Sequence, residues 1–121
     1  MAGKFGLDYD YKYDIFYICH PDTKSDNCIV IGNIVVDIVA GGEVTGIEFL
    51  EASKTLTELT NRKITKKELK KITDASFSAN SKDEAIIIKL LLKIENDKTP
   101  ATIAIQNPDY KSPLRPSWLG V

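Results

Sequence analysis

Residues 9–19 read YDYKYDIFYIC, and their pattern determines how the first half of the chain is interpreted. Every odd position from Tyr9 to Cys19 is aromatic, aliphatic or a thiol, whereas the even positions begin with charged residues such as Asp10 and Asp14. Alternation with a period of two and many aromatic residues is typical of a β-strand. We therefore predict one strand over this stretch, with the tyrosines on its apolar face.

Two further β-branched runs predict the strands that pair with it. The run from Cys28 to Val39 is interrupted by Gly32-Asn33, which we interpret as a bulge. Placing Cys19 opposite Cys28 gives a hairpin whose facing residues on one side are apolar or aromatic throughout. The sequence Ala40-Gly41-Gly42-Glu43 then provides a tight turn into a third strand that ends at Leu50. In this register Val36 lies opposite Ile47, and Ile34 lies opposite Phe49.

The other face of this predicted meander is acidic, because it carries Asp10, Asp14, Asp37 and Glu48. Asp10 would lie opposite Asp37, and like charges directly opposite each other destabilise a sheet. Three interpretations stay open: a solvated face, a divalent-cation site with oxygen ligands, or a docking surface for a basic partner. No dedicated motif separates them.

The residues quoted so far resemble a known family. Tyr9-Asp10, Asp14 to Ile18, the Val-Val-Asp that ends at Asp37, and Gly42 to Lys54 are similar to the Domain of Unknown Function 2283 family of small prokaryotic proteins. The similarity extends from Asp8 to about Leu56, and the block Gly42 to Ser53 is its most specific part. Tyr13 departs from the pattern, because the family usually carries a small residue there.

This resemblance implies a cytosolic bacterial or archaeal protein in which a β-meander runs into a helix. It implies no assigned enzyme activity. Some members of the family look like the antitoxin half of small toxin–antitoxin pairs, beside toxins similar to the RelE and ParE type.

Two short helices are predicted after the meander, at about 52–59 and 65–73. Ser53 is a candidate cap for the first helix, and Thr65 with Glu68 fits a capping box for the second. The second helix and the residues before it are basic, and this surface comprises Arg62, Lys63, Lys66, Lys67, Lys70 and Lys71. A solvated helix face and phosphate-backbone binding both fit this charge, whereas the helices are too short for a helix-turn-helix.

The second half predicts three more strands within residues 74–106. The stretch 84–95 could be a helix or a strand, but its alternating row from Ile86 to Ile94 and its three consecutive isoleucines favour a strand. The predicted fold is therefore α+β: two three-stranded antiparallel β-meanders, at about 5–50 and 74–106, linked by the two short helices. We expect residues 1–106 to form one domain, followed by a proline-rich tail at 107–121.

Composition excludes several classes of protein. The chain has 121 residues and a net charge of −1, so it is not a strongly basic nucleic-acid binder as a whole. It has no apolar run long enough to cross a membrane and no secretory signal at its start, so we expect a cytoplasmic protein with free thiols. His20, beside Cys19 and near Cys28, is more consistent with a loop histidine than with a soft metal site.

The leading hypothesis is a non-catalytic macromolecule-binding or regulatory module with an antitoxin-like role, which needs no cofactor or resident metal. The alternative is a small metal-dependent hydrolase or metal-binding protein that uses the acidic face. A small basic protein is a candidate partner, and nucleic acid is a weaker one.

A homodimer is also expected, because two short helices must cover both meanders and so leave apolar surface exposed. The opposite net charges of residues 1–53, −6, and of residues 54–121, +5, favour the same association. Its predicted contacts are the row Ile86 to Ile94, the Val30–Ile34 region and a strap around Trp118. The competing arrangement is a monomer whose two sheets pack face to face.

Overall fold

A computed structural model describes residues 4–21, 23–39, 41–82 and 85–106. Five short strands form the first sheet: β1 (Gly6–Asp10), β2 (Ile15–Cys19), β3 (Asn27–Ile31), β4 (Ile34–Ile38) and β5 (Val44–Phe49). Two helices follow, α1 (Ala52–Thr60) and α2 (Lys66–Lys71). Three longer strands form the second sheet: β6 (Asp74–Lys82), β7 (Ala85–Ile94) and β8 (Asp97–Gln106). All strand pairs are antiparallel.

The α+β class is confirmed, but the prediction of two three-stranded meanders is wrong, because the first sheet has five strands. The predicted strand 9–19 is a hairpin whose turn spans residues 11–14 and ends at Asp14, which has a φ of 54°. Within this turn the Tyr13 amide donates to Asp10 Oδ1 at 3.0 Å. The predicted bulge at Gly32-Asn33 is likewise a two-residue hairpin turn, with Gly32 at a φ of 55°.

The strand order of the first sheet is β1-β2-β5-β4-β3, so the last strand in sequence lies at the centre. The predicted pairing of Cys19 with Cys28 is therefore wrong. These residues lie on β2 and β3, which β5 and β4 separate by three strand spacings, or about 14 Å. Asp10 and Asp37 are not neighbours either, because β1 pairs with β2 and β4 pairs with β5 and β3.

The register of the central pair is as predicted. Val36 pairs with Ile47 and Ile34 pairs with Phe49, and the register shifts by a bulge after Asp37. This confirms the apolar face on β4 and β5. The face assigned to the first strand is wrong, because each tight turn changes which positions point inward. Phe16 and Ile18 are buried on β2, and Tyr17 and Cys19 lie on the opposite, outer face.

The second sheet follows the sequence pattern closely. Residues Ala85–Ile94 form a strand, and β6 and β8 pair with it on either side. The whole alternating row from Ile86 to Ile94 is buried within the chain. This row therefore does not supply the exposed dimer contact expected of it, and the homodimer stays a prediction.

One core joins both sheets and both helices. Its buried members include Phe16 and Phe49 from the first sheet, Leu56 from α1, Leu69 from α2 and Leu90 from the second sheet. Both predicted helices are confirmed, and in the part of the chain described neither has the length and apolar character needed to cross a membrane. Ala40 and the proline-rich tail with Trp118 lie outside the described residues.

Candidate functional site

Asp14, predicted on the acidic face, instead caps α1. Its carboxylate accepts hydrogen bonds from the Ser53 amide at 3.1 and 3.2 Å, from Ser53 Oγ at 2.7 Å and from the Tyr9 hydroxyl at 2.6 Å. Its backbone carbonyl accepts from the Ala52 amide at 2.7 Å. Glu51, the residue before the helix, makes no side-chain cap bond. Asp14, which lies 39 positions before Ser53, instead satisfies free amides of the first turn.

The capping contacts also set the charge of Asp14. Burial alone would raise the pKa of this carboxyl, but hydrogen bonds from Tyr9 and Ser53 and the charge of Lys66 outweigh burial, so its pKa lies below the ordinary value. Burial and the bond to Asp14 raise the pKa of the Tyr9 hydroxyl. Asp14 is therefore ionised, and its carboxylate holds the first turn of α1. Ser53, the predicted cap residue, lies in this turn and donates hydrogen bonds to Asp14.

Asp37 is engaged in a second tyrosine–aspartate bond, on the outer face of the first sheet. The Tyr17 hydroxyl donates to Asp37 Oδ2 at 2.9 Å across the intervening strand β5. The Tyr17 side chain can cross β5 because the residue beneath its hydroxyl is Gly46, which has no side chain. A Cβ at this position would come within 2.6 Å of the Tyr17 hydroxyl oxygen. Burial and this bond raise the pKa of Tyr17.

The four predicted acidic residues therefore do not form one site. Asp14 and Asp37 belong to two separate hydrogen-bonded pairs, Asp10 accepts from a turn amide, and only Glu48 is left on the outer face without such a contact. Among the residues that the structure describes, no three His, Cys, Asp or Glu side chains come together as a metal-holding group. The arrangement supports structural roles for these carboxylates.

His20 also has a structural environment. Its ring lies 4.6 Å from the Phe5 ring and 4.8 Å from the Phe77 ring, measured between centroids, and its amide donates to the Thr45 carbonyl. Since Phe77 belongs to β6, this aromatic cluster joins the two sheets. Cys19 and Cys28 are free and lie on strands that do not pair.

The predicted basic surface is present, but its members differ. Arg62 is used internally: its Nη1 donates to Thr99 Oγ1 at 2.6 Å and its Nη2 lies 3.6 Å from Glu68 Oε2. The Thr65–Glu68 capping box is confirmed and fixes the start of α2. Lys63 is exposed just before the helix. The four lysines of α2 remain as the centre of the surface.

These four lysines form two adjacent rows on α2, because residues four positions apart are neighbours on a helix surface. Lys66 and Lys70 place their Nζ atoms 4.6 and 5.0 Å from the centre of the Tyr11 ring. Lys67 and Lys71 line an open groove of about 370 Å³ against Lys93 of β7, with Glu68 and Glu95 also at its wall. We call the set Lys66, Lys67, Lys70, Lys71 and Lys93 the α2 surface.

Tyr11 and Tyr13 extend this surface, and sequence reasoning missed them. The alternating pattern assigned both to the apolar face, whereas they lie in the β1–β2 turn with 44% and 64% of their surface exposed. Lys12 Nζ lies 5.3 Å from the centre of the Tyr13 ring. The signal that could have found them is the Asp10–Asp14 spacing, because an aspartate at each end of Tyr-Lys-Tyr is typical of a turn.

Comparisons with known proteins agree with the resemblance of the first half. Residues 7–53 match the family described as "Protein of unknown function (DUF2283)". An uncharacterized protein of Methanocaldococcus jannaschii is 37% identical over 51 residues, which cover 42% of this chain and 44% of that protein. The match thus spans less than half of the relative's length. No solved structure matches this chain.

The matched segment corresponds to the first sheet and the start of α1. It begins at the second residue of β1, contains the other four strands of the first sheet and ends at Ser53, the residue that Asp14 binds. Asp37 and Gly46, which form the second tyrosine–aspartate arrangement, also lie within it. The residues that carry the resemblance therefore hold the sheet and α1 in place, and the α2 surface lies beyond them.

Proposed function

We propose that this protein is a non-catalytic binding module that docks a negatively charged macromolecule on the α2 surface. The observation that carries the proposal is that the four lysines on α2 lack carboxylate partners. Within the described residues, none of them forms an ion pair with a carboxylate, although they crowd a helix of six residues. Like charges four residues apart on a helix repel each other weakly, and an anionic partner bound to the α2 surface would relieve this repulsion.

The contacts of the acidic residues also support a non-catalytic role. Asp14 and Asp37 are each held by a tyrosine hydroxyl, so they are not placed to act together on a substrate or a cation. A metal-dependent hydrolase would need several carboxylates around one point. The antitoxin-like role implied by the resemblance calls for a basic partner, whereas the α2 surface favours an acidic one.

The test is binding to an immobilised polyanion, heparin, with elution by increasing NaCl. The double variant Lys67→Gln/Lys71→Gln should elute at lower salt than the unchanged protein, because each lost phosphate- or sulfate-binding lysine reduces the release of counterions. The matched control is Lys89→Gln/Lys98→Gln, which removes the same charge from exposed positions of the second sheet. Equal elution of the two double variants would contradict the proposal, because only net charge would then matter.

A further inference from the structure

The α2 surface adjoins two tyrosine rings that the fold leaves open. Large hydrophobic side chains exposed in the described part of the chain occur in two places, and Tyr11 and Tyr13 form the aromatic one. Among the described residues, neither hydroxyl has a side-chain hydrogen-bond partner, unlike those of Tyr9 and Tyr17. Tyr11 packs edge-on to Tyr9 with 6.4 Å between ring centroids, and Lys66 and Lys70 lie over its ring. Tyr13, with 64% of its surface exposed, is therefore the ring that is open to a ligand.

Several lysines lie close to these two rings or near them on α2. Lys12 lies against Tyr13, Lys66 and Lys70 lie against Tyr11, and Lys67 and Lys71 continue on the far side of α2 toward Lys93. Aromatic rings interleaved with lysines match the chemistry of a nucleotide chain, in which flat bases alternate with phosphates. The exposed ring of Tyr13 can stack on a base, while Lys66 and Lys70, held over Tyr11, can face phosphate oxygens.

We propose that Tyr11, Tyr13, Lys12 and the α2 surface together bind single-stranded nucleic acid. This inference rests on the proposed function and names its ligand. Tyr13, the more exposed ring, stacks on an unpaired base, and the lysines of α2 bind the phosphates that follow. A duplex fits less well, because its bases are already stacked and α2, at six residues, is too short to read a groove. An acidic peptide satisfies the lysines but makes no use of the exposed ring of Tyr13.

The experiment measures fluorescence anisotropy of a fluorescein-labelled 12-nucleotide oligothymidylate and the matching oligouridylate at 50 mM NaCl. We expect binding whose log Kd changes linearly with log salt concentration. Tyr13→Leu should weaken binding on the order of tenfold, because it keeps an apolar side chain but removes the stacking face. Tyr13→Trp should retain or improve binding. Both substitutions lie at an exposed position, so unchanged thermal melting checks that the variants are folded.

Competition separates this inference from the proposed function. A 12-base-pair duplex and a poly-glutamate of equal charge are used to displace the labelled strand. Displacement by the single strand alone at low concentration supports the inference. If poly-glutamate or duplex competes equally and Tyr13→Leu binds like the unchanged protein, the ligand assignment is overturned while polyanion binding stands. If no polyanion binds at 50 mM NaCl, both proposals fall.

Discussion

The two sheets of this protein are stabilised in different ways. The second sheet has strands of nine and ten residues whose alternate side chains enter the core, as in the row from Ile86 to Ile94. The first sheet has strands of five and six residues. Besides its apolar face, it has two tyrosine–aspartate hydrogen bonds. Each short strand buries few side chains. Polar contacts between distant segments therefore contribute a larger part of the stability of the first sheet.

The largest effects are expected where the two sheets share their core. Phe49→Ala in β5 and Leu90→Ala in β7 should each lower the free energy of unfolding by about 2–5 kcal/mol, because both side chains are buried. Urea denaturation followed by circular dichroism measures this, and Tyr13→Ala is the exposed control, with an expected change within about 0.5 kcal/mol. Two separate transitions in either core variant would show that the sheets do not fold as one unit.

This contrast also explains which parts of the fold could be predicted from sequence. A strand such as Ala85–Ile94 keeps one face toward the core along its whole length, so its period of two identifies it directly. In the first half, the turns at 11–14 and at Gly32-Asn33 each divide an apparently continuous pattern. The pattern of aromatic residues continued through the turn, and Tyr11 was therefore assigned to the wrong environment. Only the β4–β5 register, which crosses neither turn, was predicted correctly.

The outer face of the first sheet offers the next largest effect. Gly46→Ala should destabilise the protein on the order of 1–3 kcal/mol, because its Cβ would meet the Tyr17 hydroxyl oxygen at 2.6 Å and displace it from Asp37. In a Tyr17→Phe background the same substitution should cost less, since the hydroxyl oxygen is gone. A double-mutant cycle on unfolding free energies measures the coupling. Additive effects would show that Gly46 does not accommodate Tyr17.

A smaller, pH-dependent effect should be confined to the first sheet and α1. Asp14→Asn should lower stability by about 1 kcal/mol at pH 7, because it removes a charged acceptor from the helix start. The pKa of Asp14 is lowered in the folded state, so its stabilising contribution is present above the unfolded pKa and is lost as pH falls through the folded pKa.

The stability difference between Asp14→Asn and the unchanged protein should therefore shrink below about pH 4. Urea denaturation at pH 7, 5 and 3 measures this difference. Asp97→Asn, at an exposed position of the second sheet, is the control and should show no such gap. A gap that stays constant from pH 7 to pH 3 would contradict the capping role of the ionised carboxylate.

The site was predictable only where its signals are local. The Thr65–Glu68 capping box and the helix that carries the four lysines lie within a few residues of each other, and both elements are confirmed. A binding role for these lysines stays a prediction. The bond from Ser53 to Asp14 joins residues 39 positions apart, and no periodicity connects them. Arg62 was counted with the basic surface because nothing nearby in the sequence indicates that Thr99 would bind it.

The smallest effect on stability should come from the open edge of the first sheet. Val30 and Ile31 on the edge strand β3 are 47% and 37% exposed, and an exposed apolar edge is a template for pairing with a second copy. Val30→Lys should change the unfolding free energy by no more than about 0.5 kcal/mol. If the predicted homodimer uses this edge, sedimentation equilibrium at micromolar concentration should show the variant shifted toward 13.5 kDa. An unchanged protein that already sediments as a monomer would refute the dimer.

The central position of β5 has a consequence for the order in which the chain is made. When a ribosome has released β1 to β4, the chain can form only two hairpins, β1–β2 and β3–β4, which do not pair with each other. An isolated hairpin is marginally stable in water. The arrival of β5 joins both hairpins at once, and Ser53, four residues after its end, reaches Asp14 in the same step. The ten residues 44–53 therefore supply both the strand that connects the two hairpins and the contact at the start of α1, whereas the core beneath the sheet is completed only when the second sheet follows.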